Sequence, residues 1–70
     1  MALAMVMIGE TRTITELRVK EEMKRHLQDL GFTVGEKVHV VGENSSGLIL
    51  LIKGARIALN RGLATKISVA

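Results

Sequence analysis

His26 and His39 are the only imidazoles in this chain, and there is no cysteine. Any transition-metal site would therefore combine histidine with carboxylates. Glu22 and His26 are four residues apart, which places them on one face of a helix where they could share an ion. His39 alternates with Val38 and Val40, so on a strand it points away from the core. Glu22, His26 and His39 are thus the candidate ligands for a weakly bound Fe(II) or another divalent transition metal. The set is sparse. No HxxxH or HxxE array occurs, and a two-ligand pair is too few donors to hold a metal alone.

Other chemistry has less to stand on. Nucleophilic catalysis needs a nucleophile, a base and an orienting group. Ser45-Ser46 sits in a polar stretch that reads as a turn. Gly42–Gly47 has the glycine spacing of a phosphate-binding loop, but Leu48 follows where the phosphate-contacting lysine belongs. No catalytic residue is assigned, and the chain reads as a non-enzymatic binding module.

The net charge is +3, and no acidic residue follows Glu43, while Lys53, Arg56, Arg61 and Lys66 do. Such an excess either faces an acidic or phosphate-bearing partner or is spread as separate outward side chains. Phe32 is the only aromatic residue. Base-stacking platforms are therefore missing, and nucleic acid is disfavoured as a partner. A basic mini-barrel gripping a nucleic-acid backbone stays as an alternative.

Positioning these residues falls to short elements. The 70 residues contain no proline and seven glycines, and 47% are hydrophobic. Such a chain buries only roughly 60% of its unfolded surface, so its aliphatic core must be well packed. Leu3–Ile8 reads as a strand, as does Thr11–Leu17, rich in β-branched residues. Glu21–Leu30 reads as a helix. Met23, Leu27 and Leu30 form its apolar stripe, which would plug one end of a barrel, and Glu21-Glu22 suits its positive N-terminus. Glu21–Arg25 and Glu22–His26 are spaced as i, i+4 pairs. Gly31 is placed to close the helix in the left-handed region, and Gly35 shapes the next corner. Glu36–Val41 and Leu48–Ile52 read as strands joined by a polar loop, Gly42–Gly47. Lys53-Gly54 reads as a two-residue hairpin turn into Arg56–Leu59. Gly62–Ala64 reads as one helical turn, and Thr65–Val69 as a last strand with Ile67 and Val69 inward. Five or six short strands with one inserted helix, at about 21–30, predict a mainly β, closed or nearly closed barrel occupying 1–70 as one domain. Closure removes exposed strand edges. No apolar run approaches the ~20 residues of a membrane helix, and no secretory signal is visible. With zero cysteines, this reads as a cytoplasmic protein without membrane insertion.

The order Leu3, Val6, Gly9-Glu10, Ile14, Arg25, Leu27, Leu30-Gly31-Phe32, Gly35, Val38, Val40, Gly54, Ile57-Ala58-Leu59, Ala64 and Ile67-Ser68-Val69 resembles the FeoA family of bacterial ferrous iron transport. The resemblance implies an SH3-like β-barrel with an inserted helix. It also implies partnership with the cytoplasmic part of the membrane ferrous-iron permease FeoB. The same barrel is similar to the C-terminal domain of iron-dependent repressors. The chain departs from the family pattern at Thr11-Arg12-Thr13, where a glycine is common, at the proline-free Gly42–Gly47, at Asn60 and at Leu63.

Leu48-Ile49-Leu50-Leu51-Ile52 is apolar on both faces, as is Met5-Val6-Met7-Ile8. A one-layer barrel needs only one apolar face. The expectation is that Ile49 and Leu51, with Met5 or Met7, belong to a contact surface for a partner or a second copy. Arg25, Arg56 and Arg61 are the basic members expected in that surface.

Overall fold

The computed structural model describes residues 1–70. Strands β1 (Thr11–Leu17), β2 (Lys37–Asn44), β3 (Gly47–Ile52), β4 (Ala55–Asn60) and β5 (Ile67–Val69) form an antiparallel sheet in the order β4-β3-β2-β1-β5. Helix α1 (Glu21–Asp29) is inserted between β1 and β2, and the one-turn helix α2 (Arg61–Ala64) joins β4 to β5.

The sheet folds over at β1. Its first half pairs with β2 (Thr11 with His39, Thr13 with Lys37), and its second half pairs with β5 (Ile14 with Val69, Leu17 with Ile67). The register slips between Ile14 and Glu16. A residue inserted into one strand bends it and increases its twist. Ile14 and Leu17, three apart, are consequently both buried. Fifteen buried hydrophobic residues form the core, with Phe32 completely enclosed.

The first segment differs from the expected strand. Leu3–Met5 is a turn of 3-10 helix, followed by extended Val6. Leu3 and Val6 are its buried residues, and a spacing of three is the repeat of that helix. The segment is bonded at both ends. The Val69 N–H donates to Met1 O (2.7 Å) and the Met1 amino group donates to Val69 O (3.0 Å). At the other end, Gly9 N–H donates to Val40 O (2.8 Å) and Val40 N–H to Glu10 O (3.0 Å). It thus runs from β5 to β2.

Helix α1 docks through buried Leu27 and half-buried Met23. Leu30 does not complete the plug: it caps the helix and is 39% exposed. Gly31, at φ +109°, reverses the chain after it, and Phe32 fills the core instead. Gly35 and Gly54 also have positive φ (+93° and +78°), as expected of corner residues.

The stretch Gly42–Gly47 is less of a loop than its polarity suggests. β2 continues to Asn44, and only Ser45-Ser46 turn. The Asn44 side-chain oxygen accepts from the N–H groups of Ser46 (2.8 Å) and Gly47 (3.0 Å), so an Asx turn supplies the reversal. Lys53-Gly54 forms the expected two-residue hairpin, with φ of +50° and +78°. α2 and β5 lie where the sequence places them, with Ile67 and Val69 buried.

Gly47 is required for a reason of distance rather than dihedral. A Cβ there would stand 2.1 Å from Leu59 O and 2.8 Å from Asn60 Cα. Gly47→Ala must therefore push β3 from β4. The expected cost is about 2 kcal/mol, or a Tm lower by roughly 10 °C for a chain of this size. Gly42→Ala, whose Cβ would meet nothing closer than Ile49 at 4.0 Å, should shift Tm by no more than about 3 °C. Equal melting of the two variants would contradict this account.

Candidate functional site

The segment from β5 to β2 has the core on one side only. Leu3 and Val6 are buried, whereas Met5, Met7 and Ile8 are 71%, 72% and 56% exposed. Their backbone is held in place. Glu10 Oε1 accepts the Met7 N–H (2.9 Å), Glu10 N–H donates to Met7 O (3.1 Å), and Arg12 Nη2 donates to Glu10 Oε2 (2.9 Å). The Met7 N–H is the main cause holding the Glu10 carboxyl below the usual range; desolvation opposes it, and the hydrogen bond and charge of Arg12 add to the lowering. A groove of about 350 Å³ opens beside this turn. Ala4, Val6, Met7, Ile8 and Leu48 line it, with Glu43 and Arg61. These last two form an ion pair, which fixes a cation next to the apolar lining.

The outward face of the sheet is ordered by register. Thr11, His39, Leu51 and Arg56 lie opposite one another across β1 to β4, and Gly42, Ile49 and Ala58 form the next row. Leu51 is 39% exposed and Ile49 half-buried, so neither is fully covered. His39 Nδ1 shares a hydrogen bond with Thr11 Oγ1 (2.7 Å).

The structure thus brings Arg61 to the groove and sets Ile49, Leu51 and Arg56 on one face of the sheet. Arg25 is exposed on α1 and lines neither. Glu22 and His26 line a shallow hollow on α1 together with Lys20 and Met23. His39 does not join them: no three His, Asp or Glu side chains come close enough to share an ion. A lysine in the hollow further disfavours a cation there. The Glu21–Arg25 and Glu22–His26 pairs are not closed, since exposed side chains gain little by meeting. The basic residues of the final third are dispersed: Arg61 pairs with Glu43 and Lys53 with Glu36 (3.7 Å), while Arg56 has no acidic partner. Ile8, Glu10 and Glu43 were not legible as site residues. The Gly9-Glu10 pair ending an apolar run was the available signal for a pinned turn.

The FeoA domain model matches this chain over residues 1–70. The chain belongs to the FeoA family. This is a family of small SH3-like proteins associated with ferrous iron transport. Among solved structures, the chain is similar to iron(II) transport protein A from Clostridium thermocellum (28% identity, TM-score 0.90), with 99% of this chain and 44% of that one aligned. It is also similar to the zinc complex of FeoA from Stenotrophomonas maltophilia, described as a prokaryotic SH3 domain protein (25% identity, TM-score 0.79, 100% and 89% aligned). A manganese-dependent transcriptional repressor in complex with manganese shares the fold (20% identity, TM-score 0.91), this chain spanning 35% of it. The expected SH3-like barrel, and its likeness to part of metal-dependent repressors, are therefore present. No curated protein sequence is similar enough to match. No helix of this FeoA chain is long and apolar enough to cross a membrane.

The Glu10 carboxyl stabilises the Met7–Glu10 turn more strongly when ionised, because a charged acceptor makes the stronger hydrogen bond. Because its pKa is lowered in the folded chain, that contribution is complete above the unfolded value and is lost as pH falls through the lowered folded value. The Met7 amide signal should move as Glu10 protonates in acid, and Glu10→Gln should abolish that titration. A Met7 amide shift that stays flat through the acid range would contradict the clamp.

Proposed function

We propose that this FeoA chain is a non-enzymatic, single-domain accessory protein of ferrous iron uptake that works in the cytoplasm. It docks on the cytoplasmic part of the ferrous-iron permease FeoB and regulates it. The observation that carries this reading is the pinned apolar turn. Met7 and Ile8 stand in solvent on a backbone fixed by Glu10, beside a groove whose lining is mostly apolar. A backbone already held in place loses little further entropy on binding, and contiguous exposed apolar patches mark interaction surfaces. Methionine adds adaptability to the contact. Ferrous iron is then the cargo of the permease rather than a ligand of this chain. Arg61, already fixed by Glu43, supplies a positive rim. Ile49, Leu51 and Arg56 form a second, flatter part of the surface on the barrel wall.

Titration calorimetry with the permease's cytoplasmic GTPase domain, with and without nucleotide, tests this. Binding is expected in at least one nucleotide state. The double variant Met7→Asp, Ile8→Asp should weaken it roughly a hundredfold, because two apolar side chains at about 1.5 kcal/mol each are then kept from burial. Both residues are exposed, so the variant should keep the parent's melting behaviour. Absence of binding in every nucleotide state, or unchanged affinity of the double variant, would overturn the reading.

A further inference from the structure

The two edges of the sheet are treated differently. The outer edge of β5 is covered by the chain's own first residues, through the Met1–Val69 bonds and the Ala2–Ser68 bridge. The outer edge of β4 has no such cover. Regular antiparallel pairing with β3, from Asn60 opposite Gly47 to Ala55 opposite Ile52, occupies one side of β4. Outside the regular elements no backbone hydrogen bond engages Arg56 or Ala58, whereas Asn60 is the N-cap of α2 and its side-chain oxygen accepts from the Leu63 N–H. In a two-residue hairpin the closing pair exchanges both bonds, and bonded pairs then alternate. Ala55, Ile57 and Leu59 therefore bond to β3, while the N–H and C=O groups of Arg56 and Ala58 and the N–H of Asn60 face outward; the Asn60 C=O opens α2. Natural edges are blunted by proline, bulges, inward charges or shortness. β4 has six residues, no proline, no register shift and a single charge, Arg56.

We infer that β4 pairs antiparallel with β4 of a second copy of this chain, with Ala58 on the two-fold axis. One register uses all three outward-facing residues: Ala58 opposite the partner's Ala58, and Arg56 opposite the partner's Asn60. It is self-complementary, as a two-fold interface requires. On the outer face, alanine at the axis lets the strands approach without a clash, and no like charges oppose each other directly. The two Arg56 side chains are four residues apart along the pair, roughly 13 Å, beyond the ~8 Å screening length at physiological salt. On the inner face, Ile57, half-buried at the open edge, gains the partner's Leu59 as its cross-strand neighbour. The product is one sheet continuous through both molecules.

The chain has no cysteine, so single cysteines report the register directly. Residues directly opposite in a bonded antiparallel pair have Cα atoms about 5.5 Å apart, within disulfide range. Under mild oxidation at tens of micromolar, Ala58→Cys should form a covalent dimer, and at a rate at least tenfold above Arg56→Cys, whose two thiols are held apart. In sedimentation velocity the parent chain should show concentration-dependent dimerisation. Ala58→Pro removes only an outward-facing donor and should weaken that dimerisation at least tenfold while circular dichroism confirms the fold. Should Ala58→Pro unfold the chain, Ala58→Lys places like charges across the axis and serves the same purpose. A parent chain that stays monomeric at millimolar concentration would overturn the inference, leaving the edge for another partner's strand. Equal cross-linking of Ala58→Cys and Arg56→Cys would overturn the register.

Discussion

The bend in β1 is the constraint on which the remainder of the structure depends. One seven-residue strand must serve two partners, β2 with its first half and β5 with its second. A flat strand would carry both partners in one plane and leave an apolar face in water. The irregularity between Ile14 and Glu16 turns the sheet over on itself. The inward side chains of β1, β2, β3 and β5 then converge on a single core. That core holds one aromatic residue, Phe32, and is otherwise aliphatic. A core of this kind, in a chain this short, depends on packing without voids.

The same bend leaves β5 as a short terminal strand with an open edge. The first ten residues answer that need. They pair with β5 at Met1–Ala2, bury Leu3 and Val6, and reach β2 at Gly9 and Glu10. Because only one side of the segment meets the core, large side chains on its other side must face water. Met5, Met7 and Ile8 are thus presented by the same geometry that guards the edge. Glu10 then converts an exposed apolar turn into a fixed one. Stability and display are two consequences of one arrangement in this FeoA chain. The β4 edge is its counterpart: the fold covers one edge with its own chain and leaves the other uncovered.

Much of this was legible in the residues. β1 appears with its expected ends, because a run of threonine and isoleucine bounded by charged and glycine positions has few alternatives. α1 ends within a residue of its expected bound, since Gly31 must follow it. Lys53-Gly54 turns as its composition demands. Three misreadings have tertiary causes. Leu3–Ile8 is apolar enough for a strand, but the burial period that matters, Leu3 to Val6, appears only once the barrel end exists. Gly42–Gly47 is polar because an Asx turn at Asn44 needs those residues, not because the strands stop. Leu30 lies on the helical stripe, yet the reversal at Gly31 gives its place in the core to Phe32. For the candidate site, Arg61 and Leu51 were visible as charge and as an excess of apolar residues. The pairing of Arg61 with Glu43 and the clamp by Glu10 join residues far apart in sequence or across a turn, and no local pattern reports them.

The central claim of the proposed function is that the docking surface is the pinned N-terminal turn rather than the helix. Hydrogen exchange of the chain, alone and with the permease's cytoplasmic domain, measures this most directly. The account predicts slowed exchange concentrated in residues Met5–Glu10 and around Arg61, with α1 unchanged. Slowing confined to α1, with the Met5–Glu10 amides exchanging as in the free chain, would contradict it.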